Sequence, residues 1–267
     1  MEINLIHPEE SEVKYEIFHF PDGEVQIKFL EAIKCKELYS VKCRIRNAEE
    51  LFILMQVADI LKRHGILFDI EISYLMSMRM DRVMEFTRPF SLKIVVDILK
   101  NLGAFDINVL EPHSDRVLNL GDYISSINGL NYLYKIDIDL PDYLVILPDK
   151  GAKDRYYIYN ETLNCSKIRN SETGKLIGFS IDNPDLLESD HRPLLVIDDL
   201  CDGGGTFAGI SNEIRKYTDR ELNIFVTHMV NEKGVKTLSD NYDKVYFTNS
   251  YKDWDNLPDN VTMIKVC

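Results

Sequence analysis

The segment 194–216, LLVIDDLCDGGGTFAGISNEIRK, constrains the fold more than any other part of this chain. Four apolar residues (194–197) read as a buried strand. That strand ends in the adjacent carboxylates Asp198 and Asp199 and runs into Asp202, Gly203, Gly204, Gly205 and Thr206, after which a helical pattern begins. Consecutive glycines after a strand let backbone N–H groups turn inward around a phosphate, with the N-terminus of a helix behind them. Paired carboxylates at a strand end suit the vicinal hydroxyls of a ribose, directly or through Mg²⁺. The bland alternative is a tight strand-to-helix turn with two solvated acids. Three glycines in a row cost conformational entropy, so a phosphate-binding turn is the favoured reading.

The same unit recurs along the chain. YLVILPDKGAKDR (143–155) is an apolar strand running into a Gly-containing polar loop, and INVLEPH (107–113) is a strand whose end turns polar. Residues 49–64 place apolar side chains at helical spacing, with acids first and bases last, as the helix dipole prefers. A strand around 68–74 follows, and then a helix over 89–102, opened by Pro89 and closed by Gly103. Alternation of this kind predicts α/β architecture. Pro141 interrupts the pattern, so the expectation is two similar α/β domains, 1–138 and 139–267.

Composition narrows the function. At 45% hydrophobic and 28% charged, the 267 residues can bury a real core. A net charge of −13 argues against nonspecific nucleic-acid binding, which needs a basic footprint. A few basic residues in one cleft still suffice for small anionic substrates. No apolar run approaches membrane-span length, and Glu2, Glu9, Glu10 and Glu12 occupy the start in place of a basic signal segment. A cytoplasmic protein without membrane contact is the expectation. The five cysteines (35, 43, 165, 201, 267) are scattered with no C-x-x-C pair, so they read as plain thiols.

The loop at 198–206 resembles the ribose-phosphate-binding loop of type I phosphoribosyltransferases and of their relatives, the ribose-phosphate diphosphokinases (PRPP synthetases). Further segments, in order, are similar to the synthetase branch. FPDGE, with Phe20, Asp22 and Glu24, resembles the segment that in the family holds the adenine of ATP bound to a neighbouring subunit. Arg79, Met80 and Asp81, followed by PFSLK at 89–93, resemble R-Q-D … P-I-S-A-K, whose Arg grips the ATP phosphates. Met80 and Met84 stand where the family has Gln and Asp. Glu111 and His113 resemble the D-L-H element at the ATP phosphates and metal, with Glu replacing Asp. Asp149, Lys150, Gly151 and Lys153 resemble the loop that receives pyrophosphate, where Arg155 adds positive charge. Lys167 and Arg169 resemble the K-x-R at the base of a mobile catalytic loop. Thr227-His228 and Thr248-Asn249-Ser250 echo later strand ends.

The resemblance implies an enzyme, a transferase with two phosphoribosyltransferase-like α/β domains and mainly parallel central sheets. It would use ATP and Mg²⁺ to move a β,γ-pyrophosphate onto the 1-hydroxyl of ribose 5-phosphate, for nucleotide biosynthesis. It implies Lys167, Arg169 and His113 as catalytic, His113, Glu111 and Asp149 as metal ligands, and a homo-oligomer of at least two copies. Relative to the family, the chain lacks most of the opening strand–helix unit and the terminal helix. Gly203 stands where synthetases carry Thr, which leaves room beyond the 5-phosphate. That makes ADP-ribose an alternative acceptor, as in synthetase relatives of viral NAD-rebuilding pathways. A PRPP-consuming phosphoribosyltransferase and a non-catalytic nucleotide-binding regulator remain as further alternatives.

Overall fold

The computed structural model describes residues 1–34, 37–121, 123–158, 161–169, 173 and 176–266, except the side chains of residues 120, 169 and 176. Two compact units divide the chain, residues 1–128 and 129–266. Cys35 and Cys267 fall outside the described residues; Cys43, Cys165 and Cys201 are buried free thiols.

The first unit is a five-stranded, wholly parallel sheet in the order β1 (Glu2–Asn4), β4 (Tyr39–Ile45), β5 (Phe68–Leu75), β6 (Asp106–Leu110), β7 (Ile124–Ile127). Helices α1 (Ala48–Arg63) and α2 (Ser91–Lys100) supply the connections after β4 and β5. A separate antiparallel hairpin, β2 (Tyr15–His19) and β3 (Val25–Phe29), docks on α1. Val25 and Ile27 of β3 are buried, and the Gln56 side chain both accepts from Ile27 N (3.0 Å) and donates to Val25 O (3.0 Å). The helix itself starts where its sequence demands. Asn47 caps it by accepting from Glu50 N at 3.0 Å, and Leu51, Leu54, Val57, Ala58 and Leu61 form the buried stripe at helical spacing. Pro89 and Phe90 lie outside α2, which is shorter than the sequence pattern suggested because the helical turn begins only at Ser91.

The second unit is a seven-stranded sheet in the order β10 (Leu176–Ile181), β9 (Thr162–Arg169), β8 (Leu144–Leu147), β11 (Leu194–Cys201), β12 (Leu222–Met229), β13 (Lys244–Thr248), β14 (Val261–Ile264). All pairings are parallel except the β9–β10 hairpin. Helices α3 (Lys150–Arg155), α4 (Leu186–Ser189), α5 (Gly205–Ile214) and α6 (Glu232–Asn241) lie between strands. β8 and β12 are buried along their whole length, and β11 through its first four residues. A strand covered on both faces reads as a continuous apolar run, which is why 194–197 and 144–147 were legible as strands.

Two sequence expectations are corrected here. KGAKDR is a short helix, not a loop, because Asp149 caps it and satisfies its first turn. β11 does not stop at Ile197: it stays paired with β12 to Cys201, so Asp198 and Asp199 sit within the ladder.

Replacing Asn47 with Ala is expected to cost about 1 kcal/mol of stability, and Leu54→Ala about 2–5 kcal/mol, because the first removes only a cap and the second opens a cavity. Urea unfolding of the two variants beside wild type checks the ranking.

Candidate functional site

In the second unit, the order of strands reverses between β8 and β11. From β8 the chain steps outward to β9 and β10; from β11 it steps the other way, to β12, β13 and β14. Ligands of open α/β sheets bind outside the carboxyl ends of the strands at such a reversal, since the flanking connections diverge and leave a crevice. The residues that follow β8 and β11 there are those the sequence singled out.

Asp149 stands just past β8. One oxygen, Oδ1, accepts from Ala152 N at 3.2 Å, and the other, Oδ2, accepts from Lys167 Nζ at 3.0 Å. Burial pushes this carboxyl up, but the bond and charge of Lys167, together with the N–H groups of Ala152 and Gly151, outweigh it and hold the group below its ordinary value. The stability it contributes is therefore present at neutral pH and is lost only as pH falls through that lowered value. Lys150, Gly151 and Lys153 lie exposed on the short helix beyond it. Lys167 and Arg169 lie in β9, two residues apart on one face, and not in a loop as the sequence suggested. The reason is their pairing with β10, Lys167 opposite Phe179 and Arg169 opposite Leu176. The side chain of Arg169 falls outside the described residues.

Arg155 ends α3 and reaches across to β11. Its Nη1 lies 3.2 Å from Asp198 Oδ1 and 2.8 Å from Asp199 Oδ1, with Asp199 almost wholly buried. The segments at 148–155 and 198–206 therefore meet, as expected. Burial, and next the neighbouring charge of Asp199, push the Asp198 carboxyl well above the ordinary range, with Arg155 pulling the other way. Sequence reasoning named Arg155 only as added positive charge. The signal it missed is that two adjacent acids entering a buried strand need a cation to face them.

Past Cys201 the chain turns through 202–206 into α5. Gly204, at φ +76°, is the residue before the helix, and a Cβ there would lie 2.8 Å from Thr237 Cβ. Glycine is required at 204 on both counts. At Gly203 the backbone is ordinary and a Cβ would meet only Lys233 Cδ, at 3.9 Å. The missing side chain at 203 is thus not a conformational need. Gly205 and Thr206 open the helix, so their N–H groups have no partner within it and are available to an anion. Asp202 is exposed and accepts from Asn231 Nδ2 at 3.3 Å.

Thr227, His228, Thr248, Asn249 and Ser250 do lie at the ends of β12 and β13, yet all are fully buried. His228 Nδ1 lies 2.8 Å from Ser250 Oγ, which also donates to Thr227 O at 3.1 Å, while Asn249 N donates to Ile264 O at 3.0 Å. These residues tie neighbouring strand ends together.

In the first unit, Phe20, Asp22 and Glu24 form the β2–β3 turn. Gly23 N donates to Phe20 O (2.8 Å) and Glu24 N to Asp22 Oδ1 (3.1 Å). Phe20 is 46% exposed and meets Phe18 edge-on, with centroids 5.4 Å apart. His19, beside the turn, pairs with Glu49 at 3.1 Å in the first turn of α1, which begins beyond the carboxyl end of β4. Arg79, Met80 and Asp81 follow the end of β5. Arg79 and Met80 are exposed, and Asp81 lies 3.7 Å from both Arg82 and Arg116. Glu111, directly after β6, is buried at φ +36°, a strained conformation for a side-chain-bearing residue, and His113 is partly exposed.

No three metal-ligating side chains converge among the described residues. Asp149, partly exposed just past β8, is by itself a carboxylate that suits Mg²⁺ of the kind carried by nucleotide phosphates, which keeps most of its water and takes one or two carboxylates from protein.

No family model matches the chain. Ribose-phosphate pyrophosphokinase of Mycoplasma genitalium is 27% identical over 227 residues, 82% of this chain and 68% of its own length. The Pyrococcus furiosus protein of the same name is 26% identical over 243 residues, covering 88% and 85%. The chain is thus similar, over most of its length, to proteins named ribose-phosphate pyrophosphokinase. The crystal structure of phosphoribosylpyrophosphate synthetase from Mycobacterium smegmatis has the same fold, with a TM-score of 0.76 and 19% identity over 97% of this chain and 88% of that one. The α/β architecture with mainly parallel sheets is therefore shared with that synthetase. No described helix is long and apolar enough to cross a membrane.

Because Asp198 binds its proton more tightly in the folded protein than in the unfolded one, its charged form costs stability above its raised pKa, and the cost fades as pH falls. Asp198→Asn is expected to raise the melting temperature at alkaline pH, with the gain shrinking toward mildly acid pH. Melting curves of variant and wild type across that range check it.

Proposed function

We propose that this chain is an ATP-dependent pyrophosphotransferase that moves the β,γ-pyrophosphate of ATP to the 1-hydroxyl of ribose 5-phosphate. The observation that carries the reading is the meeting, at the strand reversal of the second unit, of a glycine turn opening a helix, two carboxylates held by Arg155, and the Asp149–Lys167 pair. The names of the relatives agree with it.

In this reading residues 202–206 hold the 5-phosphate, with the N–H groups of the helix N-terminus as donors. Asp198 and Asp199, held by Arg155, accept from the ribose hydroxyls. Lys150, Gly151 and Lys153 surround the pyrophosphate. In the first unit, Arg79, Met80, Asp81 and His113 serve the nucleotide, and Phe20, Asp22 and Glu24 offer a stacking face and acceptors for adenine. Mg²⁺ would be held by Asp149 on the second unit, with Glu111 and His113 the candidates on the first, and it supplies neutralisation of phosphate charge. The 1-oxygen forms a bond to the β-phosphorus as the bond to the α,β-bridging oxygen breaks, AMP departs with that oxygen, and the hydroxyl proton passes to solvent. The protein mainly positions the reactants in line. Lys167 and Arg169 stabilise charge on the transferred group. The oligomer follows from FPDGE, an exposed turn able to complete a neighbour's nucleotide site, so activity and dimerisation should be lost together on dilution.

A second reading, the same transfer to ADP-ribose, is favoured by one observation: the side-chain position at Gly203 is open. Threonine fits there without backbone strain, so its effect reports on the acceptor. Its methyl would crowd a second phosphate while its hydroxyl could bond a terminal one. Gly203→Thr should shift specificity toward ribose 5-phosphate by about tenfold or more if ADP-ribose is the natural acceptor. Equal turnover changes with both acceptors would remove the reason for the second reading.

The deciding experiment incubates the protein with ATP, Mg²⁺ and each acceptor separately and follows AMP by chromatography. No AMP with any phosphorylated ribose would refute the proposal. Lys167→Ala should lower kcat by about 10²-fold or more with ATP binding nearly intact, the pattern of a group acting only in the transition state.

A further inference from the structure

The first turn of α6 is pressed onto the phosphate turn more tightly than a side chain would allow. A Cβ at Gly234 would lie 2.1 Å from the backbone oxygen of Asp202, so this position must be glycine for the approach to exist. Thr237, one turn on, donates to Gly203 O at 3.1 Å, and Asn231, the cap of α6, donates to Asp202. Three residues of one short helix thus fix it against 202–203. The approach carries Lys233 alongside the turn, with its Cδ 3.9 Å from the Cβ position of Gly203 and its ammonium two bonds further on. Neighbouring charges do not claim that ammonium. Glu232 pairs with Lys252 (3.3 Å) and Lys236 with Asp240 (2.8 Å), whereas Lys233 has no ion-pair partner among the described residues.

We infer that Lys233 is a specificity-determining residue that holds the phosphate end of the acceptor from the α6 side of the turn. The inference rests on the reading of 202–206 as the acceptor's phosphate site. Glycine at 203 removes the hydroxyl that a threonine would supply, and the same vacancy lets the lysine lie across the turn. A neutral hydrogen bond is replaced by a mobile cation. A flexible ammonium is less demanding of geometry than a hydroxyl, so the site recognises the charge of a phosphate more than its shape. The binding it provides lies at the sugar's far end from the reacting oxygen, so it acts alike in ground and transition states.

The test uses Lys233→Met in the full chain, with Lys233→Arg as conservative rescue and Lys236→Met as a control that removes the same charge from the same helix. Steady-state kinetics should show an acceptor KM raised about tenfold or more, with kcat and the ATP KM nearly unchanged, in Lys233→Met alone. Calorimetric titration with ribose 5-phosphate in the absence of ATP should show the same loss. Melting temperatures should not differ, because the side chain is exposed and makes no ion pair. A wild-type protein that binds ribose 5-phosphate no better than Lys233→Met overturns the inference and leaves the proposed function standing. A wild type that binds none overturns both. An equal loss in Lys236→Met also overturns the inference, since the effect would then be that of overall charge.

Discussion

The site in the second unit depends on one ion-paired cluster, Arg155 between Asp198 and Asp199. Two adjacent carboxylates inside a strand would repel each other and pay for desolvation; neither is tolerable in a buried ladder without a cation. Arg155 supplies it from the last position of α3, and that helix is placed by the Asp149 cap just past β8. The cluster therefore locks α3, β8 and β11 together at the reversal of strand order. The raised Asp198 shows that compensation is incomplete, the usual condition of a polar group kept for binding.

Asp149 works in the opposite electrostatic direction. Its carboxylate is held charged by Lys167 and two backbone donors, so the two sides of the crevice differ: one carboxylate stabilised as an anion, another pushed toward its neutral form. Lys167 reaches Asp149 because β9 runs parallel beside β8, bringing a residue eighteen positions later in the chain back to the same end of the sheet. A lysine resting on a carboxylate beside the N-terminus of α3 is a cation kept in place until a stronger anion competes for it.

The glycines divide by cause. Gly204 has a positive φ and no room for a side chain, and Gly234 is excluded by the carbonyl of Asp202. Gly203 has neither restriction, and nor does Gly205 in the first turn of α5, so the smallness of these two is open to a role in ligand choice. From sequence the three glycines 203–205 look alike. Only the position of α6, which connects β12 to β13 in a sheet whose order the sequence does not declare, sets Gly204 apart from the other two.

The sequence by itself determined the alternation of buried strands and helices and the glycine turn before α5, because each is encoded locally: apolar runs for strands covered on both faces, acids before bases along α1, glycines before a helix. Tertiary structure decided what distant residues do to one another. KGAKDR became a helix because Asp149 caps it, β11 ran on through its acids because β12 pairs with it, and the Thr227, His228 and Ser250 cluster proved to be buried strand fastening. Arg155 met Asp198 across 43 residues of sequence, and Lys233 came to lie beside Gly203. Such contacts depend on strand order and on the approach of helices, which follow from packing the whole sheet and are written in no single segment.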